Sequence, residues 1–155
     1  MTENKIKIEI ATISDAIKIL EIQKTAFLDQ ARIYNNYQLP PLAQSLESIE
    51  DEFNKKTFLK VMLNGQIIAS VRFKLADGCV IVDRIVVMPE FQNQGIGTTL
   101  LKEIELKVPN AEAFQLFTGN KSDRNLHLYE KMGYKVISSK KTDQGIELLY
   151  LEKRP

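Results

Sequence analysis

The sequence predicts an α/β (α+β) domain: a mixed, mostly antiparallel twisted sheet of about seven strands flanked by about four helices. Three observations carry this. Short runs with strand-like alternation recur, divided by Asn-Gly and Asp-Gly pairs that mark tight hairpins. Longer segments between them place apolar residues at helical spacing. One apolar run, 79–88, has the pattern of a strand covered on both faces.

The elements follow in order. Ile6-Lys7-Ile8-Glu9-Ile10 alternates and predicts a half-exposed strand. Ser14 is the expected N-cap of a helix whose apolar face carries Ile13, Ile17, Leu20 and Phe27. Residues 29–41 lose periodicity, collect Arg32, Tyr34, Asn35, Asn36 and Tyr37, and end in Pro40-Pro41. A second helix puts Leu42, Leu46, Ile49 and Phe53 on one face and Glu47, Glu50, Asp51 and Glu52 on the other. Strands over 57–63 and 66–75 are joined by Asn64-Gly65, and Asp77-Gly78 makes the next turn. The run 79–88 is then a central strand, broken in polarity only by Asp83 and Arg84. A third helix uses Ile96, Leu100, Leu101, Ile104 and Val108, and Pro109-Asn110 stops it. A strand over 113–118 precedes a helix over 122–132 that ends at Gly133, a natural left-handed cap. Two last strands, 135–139 and 146–152, turn near Asp143-Gln144-Gly145. The order is βααβββαβαββ.

Composition bounds the function. The 155 residues make one domain, 1–155, long enough to bury its own core. Its 44% apolar and 26% charged content is ordinary for a soluble globular chain. A net charge of +1 with no basic block gives nucleic-acid binding no electrostatic support. No apolar run is long enough to span a bilayer, and the first five residues lack the apolar core of a leader. A single cysteine, Cys79, excludes an internal disulfide and suits a reducing cytoplasm. With one histidine, His127, beside it, no usual zinc site can form, so no metal is expected.

The most informative segment is Val86-Val87-Met88-Pro89-Glu90-Phe91-Gln92-Asn93-Gln94-Gly95-Ile96-Gly97-Thr98. A β-branched run feeds a Pro-containing turn, then a glycine-rich loop, then a helix. That order leaves amides without intrahelical partners near the positive end of a helix dipole, where phosphate oxygens bind. Gly95 and Gly97 are expected to bring the backbone close to the ligand and to take unusual dihedrals. A P-loop needs Lys then Ser or Thr after its last glycine, and here Gly97 is followed by Thr98-Thr99. A dinucleotide fingerprint needs a small residue where Leu100 stands. Gln92-Asn93-Gln94-Gly95-Ile96-Gly97 instead fits the pattern Gln/Arg-x-x-Gly-x-Gly/Ala after a strand ending in Val-x-Pro.

That segment resembles the acyl-CoA-binding motif of the GNAT superfamily of N-acetyltransferases. Ser122-Asp123-Arg124-Asn125-Leu126-His127-Leu128-Tyr129-Glu130-Lys131-Met132-Gly133-Tyr134 resembles the family's C-terminal helix, with its Leu-Tyr-x-x-x-Gly-Tyr/Phe ending. The two motifs stand in the family's order and spacing, and the resemblance covers nearly the whole chain. It implies the GNAT fold and acetyl transfer from acetyl-CoA, a co-substrate, to an amine.

The resemblance also implies roles. The pyrophosphate of coenzyme A would sit on the amides of Gln94, Gly95, Ile96 and Gly97, with Gln92, Asn93 and Thr98 nearby. Ile85, Val86 and Val87 would offer backbone groups to the pantetheine arm, as an added strand would; Val86 and Val87 also suit plain core packing. Tyr129 matches the family's thiolate-protonating tyrosine, and Asn125 lies one turn before it. Core filling for Tyr129 and a solvated helix position for Asn125 are the competing readings. Asp83 would accept the amine's proton, with burial raising its pKa toward a useful value. A structural ion pair is the alternative, and Arg84 should point to the other face. Phe27, Tyr34 and Tyr37 would line the acceptor site, with the acidic face of the second helix either drawing in a cationic amine or merely solvated. The acceptor is a small-molecule or protein amine, and a homodimer is compatible with the family. A non-catalytic acyl-CoA sensor on the same fold is the rival function.

Overall fold

The computed structural model describes residues 5–155, so the leader reading of residues 1–4 lies outside it. The strands are β1 (Lys7–Ile10), β2 (Thr57–Leu63), β3 (Gln66–Ala76), β4 (Cys79–Val87), β5 (Ala113–Gly119), β6 (Lys135–Lys141) and β7 (Glu147–Lys153). The helices are α1 (Ala16–Ala26), α2 (Leu28–Tyr34), α3 (Pro40–Ala43), α4 (Leu46–Glu52), α5 (Ile96–Lys107) and α6 (Asp123–Lys131). The strands form one sheet in the order β1-β2-β3-β4-β5-β7-β6. Only β4 and β5 run parallel; the other neighbours are antiparallel.

The hairpins form where the chain supplies residues that tolerate positive φ. Asn64 and Gly65 take φ of 50° and 78°, and Asp77 and Gly78 take 52° and 80°. Both turns therefore match the right-handed twist of their strands. They put β4 in the middle of the sheet, as its apolar run requires.

Helices cover both faces. Leu100, Leu101 and Ile104 of α5 pack with Val71, Val80 and Val82 in the main core. On the opposite face Ala16 and Ile19 of α1 meet Ile49 and Phe58, while Ile22 packs on Ile67 and Val86. Burying each of these side chains larger than alanine contributes about 1.5–3 kcal/mol.

One irregularity in β4 sets up the site. Ser70 pairs with Val86 and Arg72 with Asp83, so Val71 stands opposite both Arg84 and Ile85. This is a β-bulge, and Arg84 takes φ of 52° within it. The extra residue changes which face each side chain meets. Val80 and Val82 join the α5 side, whereas Val86 joins the α1 side.

The N-terminal half corrects the sequence reading. Thr12, not Ser14, precedes the first turn, and its amide donates to Asp15 Oδ2 at 2.9 Å. Ile13 and Ile17 are 52% and 58% exposed, while α1 buries Ala16, Ile19, Ile22 and Gln23. Isoleucines occupy more than one side of this helix, so spacing alone does not fix its rotation. The contact of Gln23 with buried Arg72 fits the rotation seen. Residues 29–41 hold α2 and α3, two short helices without an apolar stripe. The expected second helix is α4 alone, capped by Ser45, whose Oγ accepts from the Ser48 amide at 3.1 Å. Leu42 precedes it in α3, and Phe53 follows it and stacks on Phe58 with ring centres 3.8 Å apart.

Candidate active site

The site begins as a gap in the sheet. β4 and β5 pair only at Cys79–Ala113, Val80–Phe114 and Ile81–Gln115. Beyond Ile81 the β5-facing edge of β4 has no ladder partner, while β5 pairs along its other side with β7. The ladder stops just before the bulge at Arg84, as bulges tend to bend a strand and end its pairing.

Two cavities open along this seam, of about 450 and about 530 Å³. They share Phe27, Gln30, Ile85, Ser122, Asn125 and Tyr129, so they form one cleft with two limbs.

The larger limb is built on the glycine loop. Asn93 and Gly95 both take left-handed backbone angles, φ of 63° and 80°, and Gly95 is the N-cap of α5. The first-turn amides of Ile96, Gly97 and Thr98 lack intrahelical acceptors, and all three residues line the limb. Gln92 braces the loop. Its Nε2 donates to the Val87 carbonyl at 3.0 Å, and its Oε1 accepts from Arg124 Nη1 at 2.5 Å. Asn93 lines the limb too, but Gln94 does not: its side chain turns back to the Glu90 carbonyl at 3.3 Å. Gly97 corrects the expectation of two unusual glycines. It has ordinary helical geometry, and its smallness admits Leu128, whose Cδ2 would lie 3.1 Å from an added β-carbon. Ile85 and Val87 line this limb, whereas Val86 is 2% exposed and belongs to the core.

Tyr129 stands where the limbs meet. It is 5% exposed, and its ionisation is pushed well up by burial and further by the charge of Asp83. It therefore keeps its proton through the neutral range. Asn125 lines both limbs, and its Nδ2 lies 3.4 Å from Thr118 Oγ1.

The smaller limb receives Phe27 and Tyr34 but not Tyr37. Tyr37 is 56% exposed and lines neither limb: it lies in the turn between α2 and α3, where the left-handed Asn35 carries the chain outward before Leu39 brings it back to the wall. Tyr34 is held in place by its hydroxyl, which accepts from the Lys121 amide at 2.8 Å. The remaining wall is mostly apolar, with Leu39, Pro41, Leu116, Phe117 and Leu148.

Asp83 lines the smaller limb and is ion-paired to Lys56 at 2.9 Å. Lys56 also bonds Glu52 at 2.7 Å, and the Glu52 carboxylate lies 3.4 Å from Arg72 Nε, too skewed for a hydrogen bond. Arg72, 1% exposed, donates to Gln23 at 2.7 Å and to Gln44 at 3.1 Å and sits 5.0 Å over the Phe58 ring. Burial pushes the Asp83 carboxyl up, but the charge of Arg84 and the bond from Lys56 outweigh it and hold it below the ordinary range. The expected rise is thus reversed. Arg84 itself stays outside ion-pair distance of Asp83.

Glu52 is another correction, since it turns inward from the acidic face of α4. The sequence reading missed Lys56, Gln23, Gln44 and Arg72. Arg72 had a signal, a cation inside the apolar run Val71-Arg72-Phe73; the others had none.

An amide nest at a helix N-terminus, opening onto an unpaired strand edge, defines a domain suited to a long ligand with a phosphate-bearing end. A family model described as "Acetyltransferase (GNAT) domain" matches residues 33–155, and the chain belongs to that family. Two Bacillus subtilis (strain 168) proteins are related at lower identity. "UPF0157 protein YqkA" is 24% identical over 133 residues, 86% of this chain, and the chain spans only 38% of that protein. "Uncharacterized N-acetyltransferase YjcF" is 25% identical over 131 residues, 84% of this chain and 91% of that protein. The fold matches the ribosomal-protein-S18-alanine N-acetyltransferase of Escherichia coli, with a TM-score of 0.81 at 16% identity over 97% of this chain and 94% of that one. It also matches the PaiA N-acetyltransferase of Thermoplasma acidophilum, solved in complex with coenzyme A. There the TM-score is 0.78 at 19% identity, covering 97% of this chain and 99% of that one. No helix among the described residues is long and apolar enough to cross a membrane.

Proposed function

We propose that the chain is an N-acetyltransferase that moves the acetyl group of acetyl-CoA directly to a primary amine. The observation that supports this best is the two-limbed cleft with Tyr129 at its junction. The family supports the chemistry, and the coenzyme A bound by the Thermoplasma protein supports the ligand.

The larger limb fits coenzyme A. The amides of Ile96, Gly97 and Thr98 would take the diphosphate, with Gly95, Gln92 and Asn93 shaping the loop. The unpaired backbone edge at Ile85–Val87 would take the amide groups of the pantetheine arm. Bound there, acetyl-CoA supplies an activated acyl group.

Tyr129 then donates a proton to the sulfur as the C–S bond breaks, so the leaving group departs as a thiol. Phe27 and Tyr34 hold the acceptor beside it. Asp83 begins as the carboxylate: the amine attacks as its free base, the Asp83 charge favours the ammonium that forms in the adduct, and the ammonium proton then passes through water to Asp83. Its low pKa makes it a weak base, so its larger contribution is electrostatic. On this reading the chain works where acetyl-CoA is made, and the single free cysteine fits a reducing cytoplasm.

The test is a thiol-release screen of primary amines with acetyl-CoA, run beside Tyr129→Phe. Acetylation of at least one amine that slows in the variant is expected. Tight coenzyme A binding with no acyl transfer to any amine would replace the enzyme with a sensor.

A further inference from the structure

We infer that Arg84 makes the smaller limb selective for amines that also carry a carboxylate on an apolar body, the amino-acid class of acceptor. This rests on the acetyltransferase reading and names the substrate class of that same site.

Five observations lead there. Arg84 lines the smaller limb and not the larger one, so the diphosphate end of a cofactor is not its partner. Its Nε is buried without a hydrogen-bond partner, and among the described residues Arg84 makes no ion pair. Nε itself is closed to solvent, so the groups left for an incoming anion are the two Nη nitrogens, which are not buried and make no hydrogen bond among the described residues.

The charges around it do not balance. Lys56, Arg72 and Arg84 face Glu52 and Asp83, which leaves one positive charge in excess. Lys56 and Arg72 are both engaged with carboxylates, so the surplus lies on Arg84. A carboxylate cancels one charge; a phosphate dianion would leave the cluster negative. The other charged group on this wall, Asp143, is exposed at the rim and is solvated rather than part of the cluster.

The backbone is also committed. Arg84 is a non-glycine residue at φ of 52° in a bulge, a strained conformation that persists where surrounding structure imposes it. The rest of the chamber is apolar, which suits an acceptor body such as a branched or aromatic side chain.

The experiment compares amines that differ only by the carboxylate. Leucine is paired with isoamylamine and phenylalanine with phenethylamine, in thiol-release kinetics on the wild type, Arg84→Gln and Arg84→Lys. The wild type should prefer each amino acid by about tenfold or more in kcat/KM. Arg84→Gln should erase that preference through KM: kcat/KM falls for each amino acid until it matches its decarboxylated partner, whatever common change in kcat the two share through Asp83. Arg84→Lys keeps the charge without the fork and should fall between them. Equal wild-type rates with both members of each pair would overturn the inference and leave the transferase standing. If no amine is acetylated, the transferase reading falls instead. Calorimetry of leucine and N-acetyl-leucine on coenzyme A-saturated protein then decides: binding lost in Arg84→Gln upholds the carboxylate site, and binding that is absent or indifferent to Arg84 overturns it.

Discussion

The hydroxyl of Tyr34 rests over the bare α-carbon of Gly119, so close that an added β-carbon would lie 2.0 Å from the oxygen. The same hydroxyl accepts the Lys121 amide, so the ring cannot swing aside without losing that bond. Gly119 thus lets α2 close over the end of β5 and form one wall of the smaller limb.

Gly119→Ala should therefore displace Tyr34. The expected cost is about 1–3 kcal/mol in stability, read by thermal or urea unfolding. KM for the acceptor should rise while coenzyme A affinity holds, because Tyr34 lines only the smaller limb. A variant with unchanged melting and unchanged KM would remove Tyr34 from the acceptor wall.

Gly95→Val acts on the other limb. No atom lies within 4 Å of a β-carbon there, so the fold has room for it. The strain comes from φ of 80°, which a β-branched residue resists. The loop should twist and the amides lose their aim, lowering coenzyme A affinity by about tenfold or more. Calorimetry reads this directly, and undiminished affinity would place the diphosphate elsewhere.

Tyr129→Phe removes the proposed acid and keeps the ring in the core. Turnover should fall by about 10²-fold, the lower range for a general acid, with affinity for acetyl-CoA within about twofold. Because burial raises the phenol's pKa, the wild type should not lose this acid on the alkaline side of its working range. Single-turnover kinetics separate this from slow product release.

Asp83→Asn should slow the reaction by about tenfold or more without moving the acid limb of the pH–rate profile. Lys56 and Arg84 keep Asp83 ionised between about pH 5 and 9, so its own titration falls outside that window. The limb then reports the amine losing its proton. A limb that shifts in the variant would show that Asp83 titrates in the working range after all.

The same cluster predicts acid lability. Glu52 and Asp83 both have folded-state pKa values depressed below their unfolded ones. Their contribution is present above about pH 5 and is lost as pH falls through about 4 and below. Lys56, whose pKa is raised, adds stability that persists at neutral pH and is lost only above about pH 10. Urea midpoints measured between about pH 3 and 7 should drop more steeply for the wild type than for Glu52→Gln, which has already lost part of the acid-sensitive contribution.

The strands were legible because the turns carry chemistry of their own. Asn64-Gly65 and Asp77-Gly78 are the residues that positive φ selects, and they fix two hairpins and the register between them. The glycine loop was legible for the same reason. The rotation of α1 was not, because Ile13, Ile17, Ile19 and Ile22 surround it and a buried polar contact fits only one choice. Tyr37 read as well as Tyr34 in the sequence, since both sit in one aperiodic stretch. What separates them is a helix end at Asn35 and a glycine more than eighty positions away. The pKa of Asp83 was misjudged because its partner Lys56 comes from another strand's approach, 27 residues distant, with no local pattern to announce it.

The short ladder between β4 and β5 has a further effect. Hydrogen-bonding groups that other sheets present at their margins here line a cleft, walled by the end of α1 and by α2 on one side and by α6 on the other. A foreign polypeptide seeking a sheet to join finds this margin out of reach, while a thin, flexible guest can slide in lengthwise. At this margin, on the proposed reading, the fold would offer strand-like recognition without the aggregation hazard that an open edge brings.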